Sequence, residues 1–531
     1  MGYRAARHKR RRTILLAAGL AALLLAAAAA LLQGRSARVA GQRYAADTRM
    51  LDLTGASSPD LSALHRLTEL SALCLDGCER VDLAPLAACP TLRTLSLRDA
   101  AGTALAPLAR CTGLTALDLT GTAVTAADYD ALRRALPGCA ILWDVPLSTG
   151  PVTSAAAALT LPGMTAADAA LLGCFPALQS VDATGADCYD ALLAAERAYP
   201  GVTFEWTVEA FGAAVPHTAS SLDLTNAAIP DAAALMAVLP YFPNLAAVDL
   251  RGSGLTGAAV FPVQDAFPNV AFSYELTLCG VAAESGAAAI DLSGVPVSDT
   301  AELYETLPHL TALTALDMCN CGLSNEEMGK LCADFPGIRF VWIVQLGKKW
   351  SLRTDAKYFS TKHSPQKQFA RFRLTTEDIQ ALQYCTELEA LDLGHHSISD
   401  ISVLAGLKKL RILILADNRI SDITPLASLE RLEYAELFLC RISDVSPLAG
   451  HPALKHLNVA HNRIKDLSPL YSNTGLERLW AASNGLSRDE KAAMRAALPD
   501  CACEFDEYES TGAGWREHAI YFELRELFQY S

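Results

Sequence analysis

The sequence predicts an α/β solenoid, with a curved parallel sheet on the concave side, helices or 3-10 turns on the convex side, and one transmembrane helix ahead of it. Three observations carry that expectation. Leu388, Leu410, Leu432, Leu454 and Leu476 stand 22 residues apart, each opening a segment such as LRILILADNRISDITPLASLER. Thr48, Leu70, Leu92 and Leu114 open earlier segments in the same register. A fixed period of this length marks one supersecondary unit that buries its apolar face only by stacking on its neighbours. The third observation is the run ILLAAGLAALLLAAAAALL at 14–32, nineteen apolar residues, long enough as a helix to cross the hydrocarbon core.

The repeats read L-x-x-L-x-L-x-x-N-x-L/I with a D-I-x-P-L second half. They resemble the short leucine-rich repeats of bacterial internalin-like surface proteins. That resemblance implies the solenoid fold and, by analogy, adhesion or surface sensing; it does not specify a ligand.

From the N-terminus, residues 1–13 form a cytoplasmic tail carrying Arg4, Arg7, Lys9, Arg10, Arg11 and Arg12. Basic residues ahead of a span stay inside, which places the C-terminal body outside the cell. The apolar run is longer than a signal-peptide core, and Arg35 and Arg38 spoil the small-x-small cleavage positions. An uncleaved single-pass signal anchor at 14–32 is therefore expected, with a linker at 33–47. With those six basic residues set aside from 44, the remainder carries 38 basic against 58 acidic groups. That balance excludes nucleic acid as the main partner.

N-terminal repeats are expected over 48–149. Over 150–347 a longer pattern appears: Pro137-Gly138, Pro200-Gly201, Pro268-Asn269 and Pro336-Gly337 each lead into alternating large residues ending on Trp143, Trp206, Tyr274 or Trp342 and a following Val or Leu. Alternation after a turn signal predicts a longer strand, and three super-repeats of three strands, with the aromatics filling the core. The whole body is then one solenoid of about twenty parallel strands. Residues 348–380 read as a basic insertion, with eight Lys or Arg against one acid across 348–374 and Pro365 inside a polar run. Ideal 22-residue repeats fill 381–498, and 499–531 reads as a final strand and a helix capping the open end.

Of the fifteen cysteines, Cys89, Cys111 and Cys385 take a repeat position that other repeats give to Leu, and Cys78 and Cys440 the slot of Asn418, Asn462 and Asn484. They read as core filling, and the Asn column as a side chain satisfying turn backbone. No N-x-S/T sequon, nucleophile elbow, P-loop, zinc motif or C-x-x-C is present. No enzyme activity, cofactor, metal site or catalytic residue is expected. Adjacent His395-His396 would point to opposite faces of a strand, and Asp52, Asp76, Asp99 and Asp118 lack a calcium-loop pattern.

Side chains alternate along each strand, so the third, fifth and seventh repeat positions line the concave sheet. There Ile412, Ile414, Tyr434, Phe438 and Trp480 converge, with Glu436, His456 and Arg478 as polar partners. Aromatic and Arg residues in an exposed apolar patch point to a binding surface. The expected partner is an extracellular protein or glycan, and the expected alternative is an envelope scaffold binding a neighbouring membrane protein through the anchor and the basic segment. A hydrolase is the remote third.

Overall fold

The computed structural model describes residues 36–362 and 372–529; the basic tail and the anchor at 14–32 lie outside them, as do 363–371 of the basic segment. Among the described residues no helix is long and apolar enough to cross a membrane. The chain forms two compact units, Met1–Val248 and Asp249–Ser531.

In the first unit, Met50–Asp52, Ala72–Cys74, Thr94–Ser96, Ala116–Asp118 and Ala140–Leu142 form one parallel sheet of five strands, and Ala158–Thr160, Ser180–Asp182 and Thr203–Glu205 a second of three. In the second unit, Ala289–Asp291, Ala315–Asp317 and Arg339–Val341 form a sheet of three. The strands Tyr358–Ser360, Ala390–Asp392, Ile412–Ile414, Tyr434–Glu436, His456–Asn458, Arg478–Trp480 and Ala502–Glu504 form a sheet of seven. The repeat-opening leucines are buried beneath them: Leu388, Leu410 and Leu432 are fully enclosed. Each such side chain contributes roughly 1.5–3 kcal/mol on leaving water.

The D-I-x-P-L half of each C-terminal repeat has a local cause. Asp400, Asp422, Asp444 and Asp466 each accept the backbone N–H two residues on, at 2.7–2.8 Å. That bond folds the chain into a 3-10 turn whose leucine, such as Leu426 or Leu470, drops into the core. In other repeats a helix replaces the turn, and some of these helices start at a capping box. Thr125 with Asp128 and Ser324 with Glu327 start the ten-residue helices Ala126–Ala135 and Asn325–Asp334.

Two expectations about the middle of the chain are corrected. The strand after each Pro-Gly signal is not one long strand. It breaks at the aromatic, and its second half folds back as an antiparallel hairpin: Asp144–Leu147 on Gly150–Thr153, Thr207–Ala210 on Ala213–Pro216, Glu275–Leu278 on Val281–Glu284. Phe211-Gly212 and Cys279-Gly280 supply the two successive positive φ angles that a two-residue hairpin turn demands. The aromatic is pinned at the break. Trp143 N–H donates to Ser154 Oγ at 3.1 Å, Tyr274 N–H to Ser285 Oγ at 3.0 Å and Trp342 N–H to Thr354 Oγ1 at 3.1 Å. These rings are buried as expected, Trp143 stacking on Tyr129 at 5.0 Å. The parallel ladder is thus interrupted by hairpins, where an uninterrupted run of parallel strands was expected.

The presumed linker at 33–47 contains the same device, Ser36–Val39 on Gln42–Ala45 with Ala40-Gly41 in the turn. The presumed basic insertion does too. Ile343–Leu346 pairs with Trp350–Arg353 around Gly347, Lys348 and Lys349, and Tyr358–Ser360 opens the seven-stranded sheet. Among its described residues, Arg353 pairs with Asp317 at 3.0 Å and Asp355 at 2.9 Å, Lys357 with Glu389 at 3.2 Å, and Lys349 lies over the Trp350 ring. Charge on the exposed face of this hairpin hid its strands from the sequence pattern.

Candidate functional site

The ladder places the expected columns in register. Ala390, Ile412, Tyr434, His456, Arg478 and Ala502 are successive partners, as are Asp392, Ile414, Glu436, Asn458, Trp480 and Glu504. Seven of the eight expected binding residues therefore share one face, and Phe438 joins Ile412, Ile414, Tyr434 and Trp480 there in one buried cluster. That face is not open: none of Ile412, Ile414, Tyr434, Glu436, Phe438, His456, Arg478 and Trp480 is more than 8 % exposed. The cover is the chain's own C-terminal segment, 506–529.

The expected cap is corrected accordingly. Ala502–Glu504 does extend the sheet, and Phe505 is buried. Phe505 sits six residues after Pro499, as Trp143 sits after Pro137, so this is a fifth copy of the Pro-to-aromatic signal. Beyond it the chain forms no hairpin. It crosses the sheet face, and the helix Ala519–Leu527 lies over the strands. Trp515, Leu524 and Phe528 form one cluster with Ile412, Ile414, Tyr434, Phe438 and Trp480. The apolar positions Ile520, Tyr521, Leu524, Leu527 and Phe528 recur at helical spacing, which is the signal that announces a face in need of a partner.

Polar contacts fix the segment. Asn458 Nδ2 donates to the Ser510 carbonyl at 2.7 Å, Trp480 Nε1 to the Gly512 carbonyl at 3.0 Å and Arg478 Nη2 to the Trp515 carbonyl at 2.7 Å. Trp515, fully buried, donates its indole N–H to Glu436 Oε1 at 2.7 Å, and Tyr434 hydroxyl donates to the same oxygen. Gly514, at φ +84°, gives the turn that lets Trp515 drop between Tyr434 and Trp480, with ring centroids 5.5 and 5.2 Å away. Arg478 lies over Trp515, its guanidinium carbon 4.3 Å from the ring centroid.

Electrostatics follow from burial. Loss of water pushes the Tyr434 hydroxyl well above its ordinary value, helped by Glu436, and lowers Arg478. Burial, with Arg478 and His518 adding to it, holds His456 neutral down to about 4. A cavity of about 30 Å³ remains between the helix and the sheet, touched by Asp392, Ile414, Phe438 and Tyr521, room for one or two water molecules.

The remaining candidates resolve into structure. Asn418, Asn462 and Asn484 each donate to the carbonyl 25 residues back and accept the N–H 20 residues back, at 2.8–3.0 Å. Cys78 and Cys440 fill the same slot with one weak S–H donation to the carbonyl 25 residues back. His396 is enclosed: its Nδ1 accepts the Leu374 N–H and its Nε2 meets Thr361 Oγ1. Asp52 and Asp118 accept the N–H of Thr54 and Thr120, and Asp76 that of Arg98. Among the described residues no group of His, Cys, Asp or Glu is arranged to hold a metal ion.

Strand register and turn geometry define a leucine-rich repeat protein with an internalin-like 22-residue period. No family model matches the chain, and no curated protein does. Similar solved structures include an internalin from Listeria monocytogenes, 14% identical over 89% of this chain and 87% of that one, with a TM-score of 0.22. An internalin C2 from the same organism is 18% identical over 55% and 84%, at 0.23. A leucine-rich repeat protein of Leptospira interrogans is 15% identical over 87% and 96%, at 0.23. Likeness at those scores carries no argument about function, and the fold assignment rests on this chain's own ladder.

Proposed function

We propose that the protein is a non-enzymatic, membrane-anchored leucine-rich repeat protein whose C-terminal body lies outside the cell and recognises a protein or glycan. The observation that supports it is the sheet face 390–504, where aromatic, aliphatic and charged side chains together bind a polypeptide segment. In this reading Ile412, Ile414, Tyr434, Glu436, Phe438, His456, Arg478 and Trp480 contact the partner when the C-terminal segment is displaced. A rigid sheet loses little conformational entropy on binding, so such a face is preorganised.

Protease shaving of intact cells, with peptides from 36–529 followed by mass spectrometry, tests the location. Release without lysis is the expected result, and the body then serves as bait. Cleavage that requires lysis would overturn both the topology and the extracellular partner.

A further inference from the structure

We propose that residues 506–529 are a reversible latch: an internal ligand that gives way to a tryptophan-anchored amphipathic helix on a partner protein. This deepens the reading of the sheet face as the recognition surface, and rests on it.

The face beneath the latch is not built as a permanent core. Asp392, Glu436, His456, Asn458 and Arg478 are all enclosed there. Enclosing charged groups carries a desolvation cost that well-packed apolar residues of similar volume avoid. Two of these residues are incompletely satisfied when the latch is closed: Arg478 Nη1 and His456 Nδ1 are buried without a hydrogen-bond partner. Lifting the segment returns both atoms to water. The closed state thus bears a cost that the open state lacks, and the apolar cluster of Trp515, Leu524 and Phe528 must offset it.

The contacts also define what the face accepts. Asn458, Trp480 and Arg478 all donate to backbone carbonyls of the latch, groups that any polypeptide offers. Selectivity resides in Trp515, whose side chain donates to Glu436, and in Leu524 and Phe528 one helical stripe further on. A partner that fits carries a Trp followed nine and thirteen residues later by large apolar side chains, in the helix-in-groove manner. The latch enters through a turn at Asp506–Gly512, where Tyr508 is 82 % exposed, so departure disturbs no strand pairing. While it is closed, a partner's apparent affinity is reduced by the fraction of molecules that are open.

The probe is a fluorescein-labelled synthetic peptide of residues 508–529, added to the full chain and to its Trp515→Ala, Leu524→Asp double variant. The variant should bind the peptide one to one, at least tenfold more tightly than the native chain does. A peptide carrying the Trp515→Ala change should lose that binding. A native-like melting variant that binds no better than the native chain overturns the proposal, as does equal binding of the altered peptide. Should the variant fail to fold, a chain with a protease site inserted after Glu507 replaces it. After cleavage the native fragment should exchange with labelled peptide, and a fragment that never exchanges refutes reversibility. If full chains instead form dimers by trading latches, the occupant is a second copy and the partner assignment falls. Peptide binding reads the face alone, so it is independent of the shaving result that tests location.

Discussion

Replacing Trp515 by Ala removes the largest side chain of the latch from a fully buried position. Truncating a core tryptophan costs about 3–5 kcal/mol. The indole bond to Glu436 is lost with it, while the Arg478 bond to the 515 carbonyl survives because it uses backbone. The Glu436 carboxylate keeps Tyr434 as a donor, so the added penalty is about 1 kcal/mol. The low end of that sum, about 4 kcal/mol, corresponds to roughly a thousandfold change in the closed-to-open ratio. Amide hydrogen exchange resolves where that loss falls. The amides of 508–529 should exchange up to about a thousandfold faster, the rise stopping earlier only if the segment is already fully open. The ladder amides of Ile412–Ile414, Tyr434–Glu436 and His456–Asn458 should change far less. Unchanged protection over 508–529 would refute the argument that Trp515 holds the segment, and equal loss across the strands would show that the segment is core rather than latch.

Asn462→Ala strands the Leu437 carbonyl and the Ile442 N–H, while the Val459 carbonyl keeps Asn484 as its donor, and should lower unfolding free energy by about 2–4 kcal/mol; Cys440→Ala, which loses one weak bond, should cost clearly less in the same denaturant titration. An unfolded histidine protonates near pH 6.5, whereas burial holds His396 neutral to about 4 against the pull of Asp392. Between those values the unfolded chain binds the extra proton, so stability should fall as pH drops from about 6.5 to 4, by up to about 3 kcal/mol. His396→Gln should flatten that slope in part, and His456, held down to about 4, accounts for more of the same sign. Leu439, left-handed at φ +55°, should gain about 1 kcal/mol on replacement by glycine, read as a raised melting temperature.

The leucine period and the Asp-x-Ser/Thr turns are local, repeated signals, and they placed the parallel strands and the facing columns in the sequence. The hairpins were not legible, because segments such as AAVP at 213–216 and VAAE at 281–284 lack the β-branched alternation that marks a strand. Lys348, Lys349 and Arg353 made a fifth hairpin look like an insertion, since Arg353 finds Asp317 36 residues away in sequence as well as Asp355 nearby, and Lys349 lies over Trp350. The cover over Ile414 and Trp480 depends on Trp515 meeting Glu436 across 79 residues. A helical period at 520–528 tells which side of that helix is apolar; it does not tell which surface the helix packs on.

The most direct test of the closed face is photo-crosslinking from a benzophenone amino acid placed at Leu527, a partly buried position of the helix against the cluster. In the monomeric full chain, crosslinks should map to peptides containing Ile412–Phe438. Crosslinks confined to 488–504, the position of an end cap, would contradict the account.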